Sequence, residues 1–237
     1  MAKLKGASVV WLGHATVLVT TPKGTNILID PFIEQNPKFP QGYKLPAKLD
    51  MILVTHGHFD HIADVVPLAK QHSATVIATV ELASFFASKG VEKTEGMNIG
   101  GTLRIADVAI TQTEAKHTSG IDDGGQRLYG GVPTGFVITI DDGPVLYHAG
   151  DTAVFSDMQL IAKLYGPQFG MLPIGDRYTM GPREAALAAH LLGIEEVLPI
   201  HYGTWPILPG TPEELEAHLA GSKIRVLKAK PGEPLQE

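Results

Sequence analysis

The stretch VTHGHFDHIAD, residues 54–64, places three histidines and one aspartate within six positions, directly after an apolar run. Imidazole and carboxylate groups are ligands that divalent transition metals bind well. An extended backbone sends alternate side chains to one side, so His56 and His58 can face the same ion. Asp60 and His61 follow where a helix is predicted to begin, and they can turn toward a neighbouring ion. The spacing therefore predicts a metal site rather than a solvated polar loop.

Three further candidate ligands also follow apolar runs. His117 ends VAITQTEAKH, Asp151 ends VLYHAGD, and His201 ends EVLPIH. Loops at strand ends carry functional side chains on a rigid scaffold, so ligands from separate strands can converge there. These positions extend the motif to a set that is large enough for more than one ion.

The composition limits the kinds of chemistry that are open to the chain. It has no cysteine, which excludes disulfides, thiolate nucleophiles and cysteine-ligated metal clusters. The formal net charge is -6, without a long run of Lys or Arg, so no nucleic-acid partner is expected. No apolar stretch approaches the ~20 residues of a membrane span, and the N-terminus lacks a signal-peptide cleavage pattern. We expect a cytoplasmic protein that acts on a small-molecule substrate and has no membrane partner. The sequence does not decide between a monomer and a homo-oligomer.

The elements that must position these side chains are short strands with helices between them. Strands are predicted at SVVWL, TVLVT, NILID and MILVT, and helices within IADVVPLAKQH and VELASFFASKG. Two hairpins follow, and the last third alternates helix and strand. The pattern predicts a single domain over residues 1–237, of the α+β class, in which two facing sheets with helices outside form a four-layer αββα sandwich.

The glycine-rich segment 117–135 is predicted to be irregular, either shaping a substrate pocket or lying as a mobile surface loop. Within it, Arg127 could neutralise an anionic group.

The motifs also resemble those of a known family. THGHFDH, the lone His117, GDT at Asp151 and PIHYGTWP at His201 together resemble the metallo-β-lactamase superfamily of binuclear hydrolases. WLGHATVLV and MGPREAA are similar to a branch related to ascorbate-6-phosphate lactonase and N-acylphosphatidylethanolamine phospholipase D. The resemblance covers nearly the whole chain. It implies the αββα fold and is specific for metal binding, but not for a substrate.

The resemblance implies two divalent ions, with zinc favoured and manganese as the alternative. It assigns three ligands to each ion and one bridging carboxylate: His56, His58 and His117; Asp60, His61 and His201; and Asp151 between them. A hydroxide shared by the two metals would attack a small ester, lactone or phosphodiester, and Asp60 or Asp151 would take or return a proton. The alternatives are a metal-binding or sensing protein without turnover and a di-iron oxidoreductase. The flavodiiron branch has a glutamate at the position of His58, which argues against redox chemistry.

Other residues are candidates for supporting roles. Asp30 ends NILID, where it either fixes the ring of a ligating histidine or opens a turn. His14 lies in GHAT, as a site residue or a turn histidine. Asp176 and Arg177 lie in PIGDRYTMGP, where they contact a substrate or serve as capping and surface charge. Tyr202 and Trp205 lie close to His201 in the sequence, and they line the pocket or belong to the core.

Overall fold

The computed structural model describes residues 4–235, and its first half builds one sheet. Strands β1 to β6 lie side by side in chain order, with β1 to β3 antiparallel and β3 to β6 parallel. Their bounds are Ser8–Trp11, Val17–Thr20, Asn26–Ile29, Met51–Leu53, Thr75–Thr79 and Thr94–Met97. Helices α1, α2 and α3 span Phe59–Ile62, Val65–His72 and Val80–Ser88.

The second half builds a seven-stranded sheet in the order β15-β14-β13-β12-β11-β8-β7. Its strands β7, β8 and β11 to β15 span Thr102–Ile105, Val108–Glu114, Thr134–Ile140, Val145–His148, Phe169–Pro173, Glu196–Ile200 and Arg225–Val226. Strands β12 to β15 run parallel. Helices α4, α5 and α6 span Met158–Tyr165, Pro182–Leu192 and Pro212–His218.

The two sheets pack face to face, and helices cover both outer faces. In β3, Ile27 and Ile29 belong to the core between the sheets, whereas Leu28 belongs to the cluster that the first sheet shares with α2 and α3. Side chains alternate along a strand, so a strand that is buried on both faces needs an unbroken apolar run. A third cluster joins the second sheet to α4, α5 and α6. The predicted four-layer αββα sandwich is therefore confirmed.

The prediction of an irregular segment at 117–135 was wrong in its central part. Strands β9, Gly120–Asp123, and β10, Gln126–Tyr129, pair as an antiparallel hairpin. Gly124 and Gly125 both have positive φ, +57° and +83°, which suits the two-residue turn of a tight hairpin. Gly124 and Gly125, whose presence had favoured an irregular segment, form the turn of this hairpin. The hairpin forms a two-stranded sheet of its own, and its strands do not pair with either large sheet.

None of the helices within residues 4–235 has the length and apolar character needed to cross a bilayer.

Candidate metal centre

The candidate ligands converge because they follow strands whose ends meet at one edge of the sandwich. Asp30 and His201 come directly after β3 and β14, and His56, His117 and Asp151 each come three positions after β4, β8 and β12. All five are at least largely buried. Backbone φ values of +47° at Asp30 and +55° at His201 place both in the left-handed region, so the chain turns sharply as it leaves each strand.

The HGHFDH motif brings two histidines together before α1 begins. His56 is fully buried, and its Nε2 lies 3.0 Å from Nδ1 of His58. Gly57 between them donates its amide hydrogen to Ser119 Oγ at 3.0 Å. A Cβ at Gly57 would lie 2.8 Å from Cγ1 of Ile121, so only glycine fits against β9. The motif is thus held against the segment that carries His117.

Asp151 lies at the centre of the cluster. Its Oδ2 is 3.0 Å from Nε2 of His201, 3.4 Å from that of His61, 3.6 Å from that of His117 and 3.9 Å from that of His56. Its side chain is only 3% exposed. One carboxylate oxygen is therefore surrounded by four imidazole nitrogens from three separate parts of the chain.

The structure brings together all seven ligands that the resemblance implied. Three groups have donor atoms within 4.8 Å of one another: His56, His58 and His117; His56, His61 and Asp151; and His14, Asp60, His61 and His201. The first group equals one of the implied ligand sets. The third contains the other set together with His14.

Three buried atoms of the cluster lack a hydrogen-bond partner: Oδ1 of Asp151, Nε2 of His61 and Nδ1 of His201. Leaving a buried polar atom unpaired costs about 1–3 kcal/mol, so such atoms call for an explanation. All three are metal-ligating atom types, and a divalent ion would satisfy Oδ1 of Asp151 and Nε2 of His61 together. The residues present therefore fit a metal centre.

Asp30 fixes the ring of His61. Its Oδ1 accepts from the Thr55 amide at 2.8 Å, and its Oδ2 accepts from the Thr55 hydroxyl at 2.7 Å. The same Oδ2 lies 2.8 Å from Nδ1 of His61. Because a carboxylate only accepts, Nδ1 of His61 must carry the proton, which directs Nε2 toward Asp151. This is the position that the sequence predicted for Asp30.

His14 holds Asp60. Its Nε2 lies 3.0 Å from Oδ2 of Asp60, and its Nδ1 lies 2.8 Å from the Thr204 hydroxyl. Burial and the nearby His201 lower the pKa of His14 to about 4, so the ring is neutral at pH 7. Its Nε2–H then donates to the Asp60 carboxylate, and Nδ1 accepts from Thr204. Of the two readings of His14, the structure favours a site residue.

The buried carboxylate of Asp151 favours positive charge on the groups that surround it. Burial lowers the pKa of His201, but the Asp151 carboxylate outweighs it and raises that pKa to about 9. The pKa of His61 is also raised well above its ordinary value, because Asp151 and Asp30 outweigh its burial. Burial and the neighbouring His61 instead lower the pKa of His56. Divalent ions would supply this positive charge in place of the protons, so metal binding would release protons from these histidines.

Three residues with predicted substrate contacts lie outside the cavity over the cluster. Asp176, with φ of +69°, lines a separate depression at the start of α5. Arg177 is exposed and lines neither space. Tyr202 stacks on Trp11 with ring centroids 5.2 Å apart, which is the core role left open for it. The loop that carries Asp176 instead sends Tyr178 to the cavity.

The cavity over the cluster has a volume of about 480 Å³, within the range of small-molecule sites. Histidines and carboxylates of the cluster are among the residues that line it. The lining also includes the large apolar side chains of Phe59, Tyr178, Trp205 and Ile207, of which the sequence had pointed only to Trp205. Phe59 stands inside the metal motif, and this position is the one signal that could have identified it.

Comparisons with known proteins agree with this geometry. The model of the β-lactamase superfamily domain matches residues 25–202. A UPF0173 metal-dependent hydrolase from Rubrobacter xylanophilus is 53% identical over 235 residues, covering 98% of this chain and 97% of the relative. The solved structure of Igni18, a novel metallo hydrolase from Ignicoccus hospitalis, is 33% identical with a TM-score of 0.86, covering 97% of each chain.

A more distant likeness shows the range of the fold. CmlA, a diiron β-hydroxylase from Streptomyces venezuelae, is 16% identical with a TM-score of 0.74, covering 98% of this chain and 54% of that one. At this identity the likeness concerns the fold alone, and one fold hosts different chemistries. The family model and the closer relatives go further: the chain belongs to the β-lactamase superfamily domain family, as a metal-dependent hydrolase of the metallo-β-lactamase fold.

Proposed function

We propose that this hydrolase is binuclear and cleaves a small ester, lactone or phosphodiester with two divalent ions, zinc first and manganese as the alternative. The observation that carries the proposal is Asp151. One of its oxygens lies within 3.9 Å of four histidine nitrogens, and the other is buried without a partner. A single carboxylate in these surroundings is suited to bridge two ions.

The ligand sets follow the groups of neighbouring donor atoms. One ion would be held by His56, His58 and His117, the other by Asp60, His61 and His201, and both by Asp151. Such a pair supplies an activated water near neutral pH and an electrophile for the substrate oxygen. Imidazole and carboxylate ligands suit zinc and manganese.

Asp60, His14 and Asp30 would each have a separate role in the reaction. Asp60 and Asp151 both line the cavity, but Asp60 is 14% exposed and Asp151, at the centre of the cluster, is only 3% exposed. Asp60 is therefore better placed to accept the proton of the attacking water and return it to the leaving oxygen. His14 keeps the Asp60 carboxylate turned toward the cavity through its 3.0 Å contact. Asp30 holds a proton on Nδ1 of His61, which leaves Nε2 as the atom that would bind the ion.

The test is a substrate panel with metal-stripped protein and protein reconstituted with zinc or manganese. We expect hydrolysis of at least one of the ester, lactone or phosphodiester classes, dependent on added metal. Asp60→Asn keeps the size of the side chain and should lower kcat by at least about a hundredfold, because general acid–base catalysis contributes that much. A fully loaded protein without turnover on any class would favour the metal-binding alternative instead.

A further inference from the structure

The outer wall of the cavity is apolar and open to solvent. Phe59, Tyr178 and Ile207 are 51%, 56% and 45% exposed although all are large apolar side chains. Trp205 stands beside them, with its ring centroid 6.2 Å from that of Phe59. Large exposed side chains that cluster at a concave site mark a binding surface for an apolar group.

The wall is also firmly supported from below. The ring of Phe32, fully buried, lies 5.8 Å from that of Phe59 and 6.0 Å from that of Trp205. The ring of Trp205 also lies 5.1 Å from that of His14. The rings of Phe59 and Trp205 are thus packed in place before a substrate arrives, which reduces the entropic cost of binding.

The cavity offers no spare cation for a charged substituent. Among the described residues that line it, Arg127 is the only Lys or Arg. Its Nε and Nη2 donate to the two carboxylate oxygens of Asp122 at 3.1 and 3.0 Å, so its charge is already paired with a carboxylate. A distant phosphate or carboxylate on the substrate would have to compete with Asp122.

We infer that the substrate carries a neutral aromatic or branched apolar arm, meaning the substituent next to the scissile bond. The arm lies against Phe59, Tyr178, Trp205 and Ile207 while the scissile group lies over the cluster. This inference rests on the proposed hydrolytic function and specifies its substrate class. It disfavours sugar-phosphate lactones, whose arm is anionic.

The experiment uses the full-length, zinc-reconstituted protein and three γ-lactones that differ only in the arm: benzyl, hydroxymethyl and phosphorylated hydroxymethyl. We expect kcat/KM for the benzyl lactone to exceed that for the hydroxymethyl lactone by at least about tenfold, as apolar pockets discriminate on this scale. We expect the phosphorylated lactone to be the poorest substrate. If only phosphodiesters are turned over, the same three arms on a methyl phosphodiester make the comparison.

The outcomes distinguish the inference about the apolar arm from the proposed hydrolytic function on which it rests. Equal kcat/KM for the three arms, or a preference for the phosphorylated arm that Arg127→Gln removes, would overturn the inference and leave the hydrolase intact. Absence of turnover on lactones, esters and phosphodiesters would overturn the proposed function, and the inference with it.

Variants then locate the arm. The double variant Tyr178→Ser/Ile207→Ser should lower the ratio of benzyl to hydroxymethyl kcat/KM by at least about fivefold, since two apolar contacts are lost. Leu187→Ser is the matched control, because Leu187 is equally exposed, at 53%, but lies on α5 away from the cavity. Inhibition constants of the benzyl hydroxy acid should rise in the double variant and stay constant in the control. An unchanged ratio with unchanged inhibition would refute this location of the arm.

Discussion

Replacing Asp30 with asparagine tests how the protein sets the tautomer of His61. Asp30 accepts three hydrogen bonds: from the Thr55 amide, the Thr55 hydroxyl and Nδ1 of His61. In Asp30→Asn the amide oxygen must stay opposite the Thr55 amide, so the NH₂ group faces His61. It can only donate, and Nδ1 must then accept. The proton moves to Nε2, the atom that should bind the metal.

The magnitude follows from this change of tautomer. Losing the partner that orients a metal-ligating histidine costs about 10- to 100-fold in metal affinity, which corresponds to about 1.4–2.8 kcal/mol. The Thr55 hydroxyl can reverse and accept from the new NH₂ group, so the remaining loss of folding stability should be modest, about 1–3 kcal/mol. Only one of the two proposed ions should be affected strongly, because His61 lies in only one of the proposed ligand sets.

The assay is competitive zinc titration against a fluorescent chelator, which resolves two affinities per chain. Asp107→Asn is the matched control: Asp107 is also a buried carboxylate that accepts from hydroxyls, those of Thr21 and Thr25, but it lies outside the cluster. The control should lose stability and keep both zinc affinities. Two wild-type zinc affinities in Asp30→Asn would refute the tautomer reasoning.

Three further predictions test other parts of the structure. His14→Ala releases Asp60 and should lower kcat/KM by about 10- to 100-fold, as steady-state kinetics will show; unchanged kinetics would remove His14 from the site. Stripping the metal should lower the melting temperature at pH 7, and zinc at a hundred times its Kd should restore about 2.7 kcal/mol; an unchanged melting curve would argue against a metal centre. Burial raises the pKa of Asp107, but the hydroxyls of Thr21 and Thr25 outweigh it and hold that pKa below its ordinary value. The ionised carboxylate therefore stabilises the fold above pH ~4 and loses this effect in acid, so Thr25→Val should cost about 1 kcal/mol in urea unfolding at pH 7 and less near pH 2; an equal cost at both pH values would contradict the sign.

The sequence was sufficient to predict the layers and the convergence of the candidate ligands at one edge. Apolar runs such as NILID and MILVT are strands buried on both faces, and parallel strands bring their ends to one edge. The position of a His or Asp just after such a run therefore predicts convergence without knowledge of the contacts. Asp30 was identifiable for the same reason.

Of the apolar side chains that line the cavity, only Trp205 was expected from the sequence, because these residues share no local pattern. Tyr178, Trp205 and Ile207 lie in loops whose direction depends on turns such as the left-handed residue Asp176. Tyr178, two positions after Asp176, lines the cavity, whereas the intervening Arg177 does not. The β9–β10 hairpin was missed because its strands are largely exposed and lack an apolar alternation, so only the paired glycines marked it.

The most direct test of the binuclear centre is the metal content per chain, measured by mass spectrometry on protein purified after saturation with zinc and removal of the excess. Wild type should hold two ions, and His58→Ala should hold one firmly and the other weakly or not at all. His218→Ala, an exposed position at the end of α6, should hold two. One ion or none in the wild type, or two in His58→Ala with wild-type affinity, would contradict the proposed centre.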